Sequence, residues 1–182
     1  GIFTIALSVF ILVSLIGYHP NEEPSISPNI QINNPMGILG IYTSYFFIKM
    51  GFGYVTIFLP LIGLVWGWFL FAKKDLVHLI SSTIYLFATM ILLSITIGFF
   101  SIMISENQST SYFASGLMGG VIAKFFISWL SFWGTLLFLL ASYLMLIRGY
   151  FNIDYYGPFA NIKDRWIKRR EKKSERKEEK EK

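Results

Sequence analysis

Two apolar runs in this chain are too long to be single membrane helices, and that excess length restricts the fold more than any other feature. A hydrocarbon core of about 30 Å takes about 20 apolar residues, each rising about 1.5 Å along a helix. Four runs can be measured against that length: 1–17, ended by Gly17-Tyr18-His19-Pro20; 36–72, ended by Lys73-Lys74-Asp75; 76–103; and 114–147, ended by Arg148. Drawn as straight helices, 36–72 and 114–147 would extend roughly 55 and 50 Å, beyond any modest tilt. Each is therefore expected to divide into a short outer-face helix and a true span. The breaks are expected near Gly51 and Gly53 and between Trp129 and Gly134, with Pro60 as a further kink point.

The expected fold is an all-α membrane protein with four transmembrane helices, at about 2–18, 51–72, 77–102 and 130–148. Two interfacial or re-entrant helices, at about 36–48 and 114–127, lie on the outer face. Residues 1–150 then form the integral membrane domain, and 151–182 an interfacial segment followed by a cytoplasmic linker. Hydrophobic residues make up 54% of the 182 and charged residues 15%. That composition excludes a soluble core, an open lipid-facing sheet and disorder through most of the chain.

Charge sets the orientation. Residues 1–147 hold four basic groups (Lys49, Lys73, Lys74, Lys124) and four acidic ones (Glu22, Glu23, Asp75, Glu106), so the membrane block is neutral and the net +5 falls entirely on 148–182. Short cytoplasmic loops are enriched in Lys and Arg. Lys73-Lys74 lies between spans two and three, the basic tail follows span four, and 18–35 and 104–113 have no basic residue. Both ends are thus expected in the cytoplasm. The chain opens Gly1-Ile2-Phe3-Thr4 without an initiator Met or a signal-peptide pattern, and it reads as part of a longer protein.

Shifting the chain by 79 residues superposes Gly37-Ile38-Leu39-Gly40 on Gly116-Leu117-Met118-Gly119, Phe46-Phe47-Ile48 on Phe125-Phe126-Ile127, and Thr56 on Thr135. The pattern suggests two parallel copies of one unit: span, outer loop, Gly-rich short helix, span. Chance is the competing explanation, since Gly and Phe are abundant. Small residues let helices approach closely in lipid, so Gly37, Gly40, Gly116 and Gly120 are expected at helix contacts.

Little in the sequence points to chemistry. With no cysteine, disulfides and thiolate sites are excluded. No Asp or Glu lies inside an expected span, whereas buried charges are the usual mark of a transport or proton path. Lys49 and Lys124 fall on the outer-face helices, where their stems can snorkel to headgroups. His19 and His78 fall on opposite sides of the bilayer, and Asp75 suits a cap for span three. Phosphate-loop, nucleophile-elbow and zinc-protease motifs are missing. No catalytic, cofactor or metal site is expected, and no enzymatic activity of this segment itself.

In the tail, Phe159, Ile162 and Trp166 recur at helical spacing after Gly157-Pro158, as in a helix lying in the inner interface. The cluster Lys163, Arg165, Lys168, Arg169, Arg170, Lys172 and Lys173 suits anionic lipid beside the last span. DNA phosphates are the less economical partner, because interspersed Glu residues offset the charge and no base-reading module is present.

The ordered motifs carry a resemblance. Tyr18-His19-Pro20-Asn21-Glu22-Glu23-Pro24-Ser25, Asn34-Pro35-Met36-Gly37-Ile38-Leu39-Gly40, Gly51-x-x-Tyr54, Pro60, Gly67-Trp68 and Tyr112-Phe113-Ala114-Ser115-Gly116 with Gly120 follow one another over residues 1–148. Together they resemble the amino-terminal four-span domain of the FtsK/SpoIIIE DNA translocases. His19, Ile41 and Leu117 depart from the family pattern, which bears on fine packing. The resemblance implies an inner-membrane anchor for an ATP-driven double-stranded DNA pump at the division septum. Such an anchor forms homo-oligomers and contacts other division proteins; the ATP-binding, DNA-binding motor lies outside this chain. Two alternatives stay open: a subunit of a small transporter or channel, with Ser94, Thr96, Ser131, Thr135 and Ser142 lining a path in an oligomer, and a stand-alone membrane scaffold.

Overall fold

A computed structural model describes residues 1–20, 22, 24, 32–104 and 114–151. Helix accounts for 86% of the described residues and strand for none, so backbone groups are satisfied within their own segments, as a lipid environment demands. The chain divides into two compact units, Gly1–Leu146 and Ile147–Lys182. In the second, the described residues 147–151 are helical; the expected interfacial helix and the basic cluster from Lys163 to Lys173 lie outside the described residues.

In the first unit α1 (Ile2–Ile16) is followed by α2 (Gly37–Ser44), a π-helical segment (Tyr45–Phe52), a 3-10 segment (Gly53–Ile57) and α3 (Phe58–Phe71). Then come α4 (Val77–Ile104) and α5 (Gly116–Phe151). Three stretches are long and apolar enough to cross a bilayer: Gly37–Phe71, Val77–Ile104 and Gly116–Phe151. α1 is equally apolar, but its 15 residues rise only about 22 Å.

Both long runs are interrupted. In the first, Gly51 (φ −84°, ψ −131°) and Gly53 (φ 73°, ψ −155°) leave helical geometry. In the second, Ser131 does so at φ 59° and ψ −178°, between Trp129 and Gly134. A buried threonine donates to a carbonyl beside each break: Thr56 Oγ1 to that of Phe47 at 2.9 Å, and Thr135 Oγ1 to that of Ser131, one turn back, at 2.8 Å. Pro60 lies in the first turn of α3, where a missing N–H costs no intrahelical bond, and α3 continues unbroken past it.

α1 packs along α3 through two small residues one turn apart. A Cβ added at Gly63 would fall on Ser8 Oγ, and one at Gly67 would come within 2.9 Å of the Ile5 backbone nitrogen. Contact continues past the helices at both ends, with Gly1 against the backbone of Phe71 and Tyr18, beyond α1, edge-on to Tyr54 of the 3-10 segment at 6.4 Å. α3 is tied to α4 by Trp66 Nε1 donating to Thr83 Oγ1 at 2.7 Å. Between α4 and α5 lies the apolar core: Leu92, Ile95, Phe99, Ala123 and Leu139, with Phe99 stacked on Phe132 at 5.3 Å. Outside this core large apolar side chains stay uncovered; Trp129, Trp133 and Leu137 are each at least 70% exposed. A soluble fold rarely exposes apolar surface so extensively, whereas a lipid-solvated one must.

Candidate functional site

Backbones meet closely at a junction around Gly53 and Gly116. Gly116 has φ 68°, a left-handed value that a Cβ makes costly, and its Cα faces main chain on the far side. A Cβ there would run into the carbonyl oxygens of Ile48 and Gly51 and the nitrogen of Gly53. Across the gap a Cβ at Gly53 would strike the Ala114 carbonyl. The approach is close enough for Tyr54 N–H to donate to the Ala114 oxygen at 3.2 Å, joining the break in the first long run to the start of the second.

α4 closes the junction from a third side. Ser94 Oγ, fully buried, donates to the Ser115 carbonyl at 2.8 Å, and Gly119 rests against Ser94. Gly98 lies against the backbone of Gly119 and Gly120, where an added Cβ would meet the Gly119 oxygen at 2.8 Å. Three segments therefore meet through glycine, two serines and main-chain atoms, the kind of contact that van der Waals packing in lipid favours.

The four glycines expected at contacts occupy different settings. Gly116 faces the main chain of residues 48–53, and Gly120 lies against Gly98 of α4. Gly40 rests on Asn34 and Met36, within its own turn. A Cβ at Gly37 would meet nothing within 4 Å, but φ 65° gives that glycine a backbone role.

Asn34, only 4% exposed, governs the second polar node. Its Nδ2 donates to the carbonyls of Ser14 (2.9 Å) and Gly17 (3.2 Å), and its Oδ1 accepts from Met36 N–H at 3.0 Å. One amide thus serves the orphan carbonyls at the end of α1 and a donor at the start of α2, and those partners fix which way the amide faces. Nearby, Glu22 Oε1 accepts from the Asn33 N–H at 2.7 Å.

The groups singled out for chemistry stay apart. His19 Nδ1 lies 3.1 Å from the Gly17 carbonyl, past the end of α1, while His78 is exposed in the first turn of α4. Asp75 accepts from Val77 N–H at 3.1 Å, serving the start of α4. Thr96 and Ser142 donate to carbonyls in their own helices, and Thr96 also reaches Tyr143 Oη at 3.0 Å. No group of three His, Cys, Asp or Glu side chains able to hold a metal occurs among the described residues.

Sequence reasoning passed over three features: the Gly63-x-x-x-Gly67 pair against α1, the Asn34 amide and the Ser94–Ser115 bond. The first carries a readable signal, since paired small residues four apart mark close helix packing in membranes. The other two depend on partners 17 to 21 positions away, which no local pattern supplies.

These features define a polytopic α-helical membrane domain whose helices are joined by glycine contacts. The family model for the 4TM region of DNA translocase FtsK/SpoIIIE matches residues 1–163, and the chain belongs to that family as its membrane-anchoring region. No curated protein and no solved structure gives a match.

Proposed function

We propose that this domain is the oligomerising inner-membrane anchor of a septal DNA translocase acting in cell division and chromosome segregation. The match to the family's membrane region over residues 1–163 carries the proposal. On this reading both termini lie in the cytoplasm, division-site membrane proteins are its neighbours, and double-stranded DNA is engaged only through a motor outside this chain. The ATP-binding and DNA-binding functions belong to that motor.

Four spans and an internal repeat belong to the same proposal. α1 runs beside α3, with Gly1 at Phe71 and Tyr18 at Tyr54 of the preceding 3-10 segment, which supports counting α1 as a span alongside the second. The repeat is supported by backbone as well as residue type. Gly37 and Gly116, 79 apart, have φ of 65° and 68°; Gly53 and Ser131, 78 apart, have φ of 73° and 59°. Thr56 and Thr135, also 79 apart, are both buried and both donate to an upstream carbonyl near the break.

Residues 1–182 fused to a fluorescent protein and expressed in a dividing bacterium of the source lineage should gather at the septum. Crosslinking in the same membranes should yield species larger than a monomer. Uniform envelope fluorescence with only monomer would refute the septal and oligomeric parts.

A further inference from the structure

Beside the glycine junction the structure leaves a crevice of about 260 Å³, lined by Phe46, Phe47, Met50, Thr56, Met90 and Met118 among others. Its origin is in the backbone: at Gly51 and Gly53 the chain leaves helical geometry, and the start of α5 approaches without filling the space left. Thr56 brings its single hydroxyl to that lining, already committed to the Phe47 carbonyl. A bound water needs two to four polar partners, and apolar cavities of about 150 Å³ stay dry and take up hydrocarbon instead.

The crevice opens at the molecular surface, because Phe46, Met50 and Met118 are 62%, 45% and 52% exposed while also lining it. A cation stands next in the chain to the wall residue Met50. Lys49 is the sole charged residue in the 35 residues from Gly37 to Phe71 and directly precedes Met50. Its ammonium is held 5.0 Å above the ring of Tyr45, next to Phe46. A lysine in so apolar a stretch is favoured where it meets an anionic headgroup.

We propose that this crevice binds one phospholipid, its acyl chain along the Phe46–Met50 and Met118 walls and its anionic headgroup at Lys49. The inference goes beyond the anchoring role and needs only that the domain lies in a bilayer, so its test is independent of septal localisation.

The test uses the whole chain, one copy per nanodisc, in phosphatidylglycerol and phosphatidylcholine mixtures carrying a diazirine in the acyl chain. After irradiation, adducts are mapped by mass spectrometry. Residues 45–52 and 117–118 should be labelled several-fold more than 136–140, whose exposed Leu137 reports ordinary lipid contact. Leu117→Trp, placed to fill the crevice, should bring the first two segments down to the level of 136–140; Met118→Phe is the alternative filler if the tryptophan variant does not fold. Lys49→Gln should lower the preference for phosphatidylglycerol by about fivefold. Equal labelling at all three segments, or no response to either filler, would overturn the acyl site. An unchanged phosphatidylglycerol preference in Lys49→Gln would overturn the headgroup assignment.

Discussion

Gly37 and Gly116 occupy the same place in a shared motif and nearly the same backbone conformation, yet they should respond to one added methyl group very differently. At Gly37 the methyl enters open space, so Gly37→Ala carries only the left-handed backbone term, about 1–2 kcal/mol. A reduced unfolded-state entropy offsets about 0.4–1 kcal/mol of it, leaving a net loss near 1 kcal/mol. At Gly116 the same term applies, and the methyl also meets three main-chain atoms of residues 48–53. Those atoms belong to a stretch already bent at Gly51 and Gly53, and they cannot rotate aside as a flexible side chain would. Overpacking of this kind adds about 1–3 kcal/mol, for a net loss of about 2–4 kcal/mol. The two variants and the parent can be compared by thermal unfolding in one detergent at fixed lipid content, followed by tryptophan fluorescence. At about 2–4 °C per kcal/mol, Gly37→Ala should lower the midpoint by a few degrees and Gly116→Ala by about 4–16 °C. Equal shifts in the two variants would refute the claim that the junction is held by backbone contact.

Further outcomes can be read in the same assay or in cells. Ser131→Gly should raise the midpoint by a few degrees, because φ 59° with ψ −178° is a region open almost only to glycine and costs other residues about 1–3 kcal/mol. Asn34→Ala should cost about 1–3 kcal/mol, since two carbonyls and an N–H lose one shared partner. Asn34→Asp should be worse, because it sets a carboxylate oxygen against the carbonyls of Ser14 and Gly17. Thr83→Val removes the hydroxyl that accepts from Trp66; membrane hydrogen bonds average about 0.6 kcal/mol, so a shift of only 1–2 °C is expected. In intact cells Ser109→Cys, the sole thiol in the chain, should react with an impermeant maleimide added outside; labelling only after permeabilisation would reverse the topology.

Length arithmetic located both interruptions, because a bilayer of known thickness leaves a run of 34 or 37 apolar residues no other way to fit. It did not reveal how each break is made. One uses two glycines and the other a serine with positive φ, a conformation that local sequence gives little reason to assign to Ser131. The glycine motif was equally visible at 37–40 and 116–119. That Gly116 meets foreign backbone while Gly37 meets open space depends on where residues 48–53 pass, and no pattern around either glycine encodes that. By residue type Ser94 is a candidate lining for a polar path, but its hydroxyl is spent on the Ser115 carbonyl. Asn34 stood out only as part of a family string; its capping of α1 depends on a loop folding back across 17 to 20 positions.

The bond from Tyr54 to Ala114 also orders events in time. Some 60 residues separate the two, and synthesis at about 5–20 residues per second puts roughly 3–12 s between their arrivals. Through that interval the first half of the domain can assemble its own pairs, α1 on α3 and Asn34 over the end of α1, but the turn at Gly53 has yet to receive the carbonyl it will hold. Completion of the first half thus waits on delivery of the second, and a chain stalled before Ala114 would leave the Gly53 turn without the main-chain partner that joins the two halves.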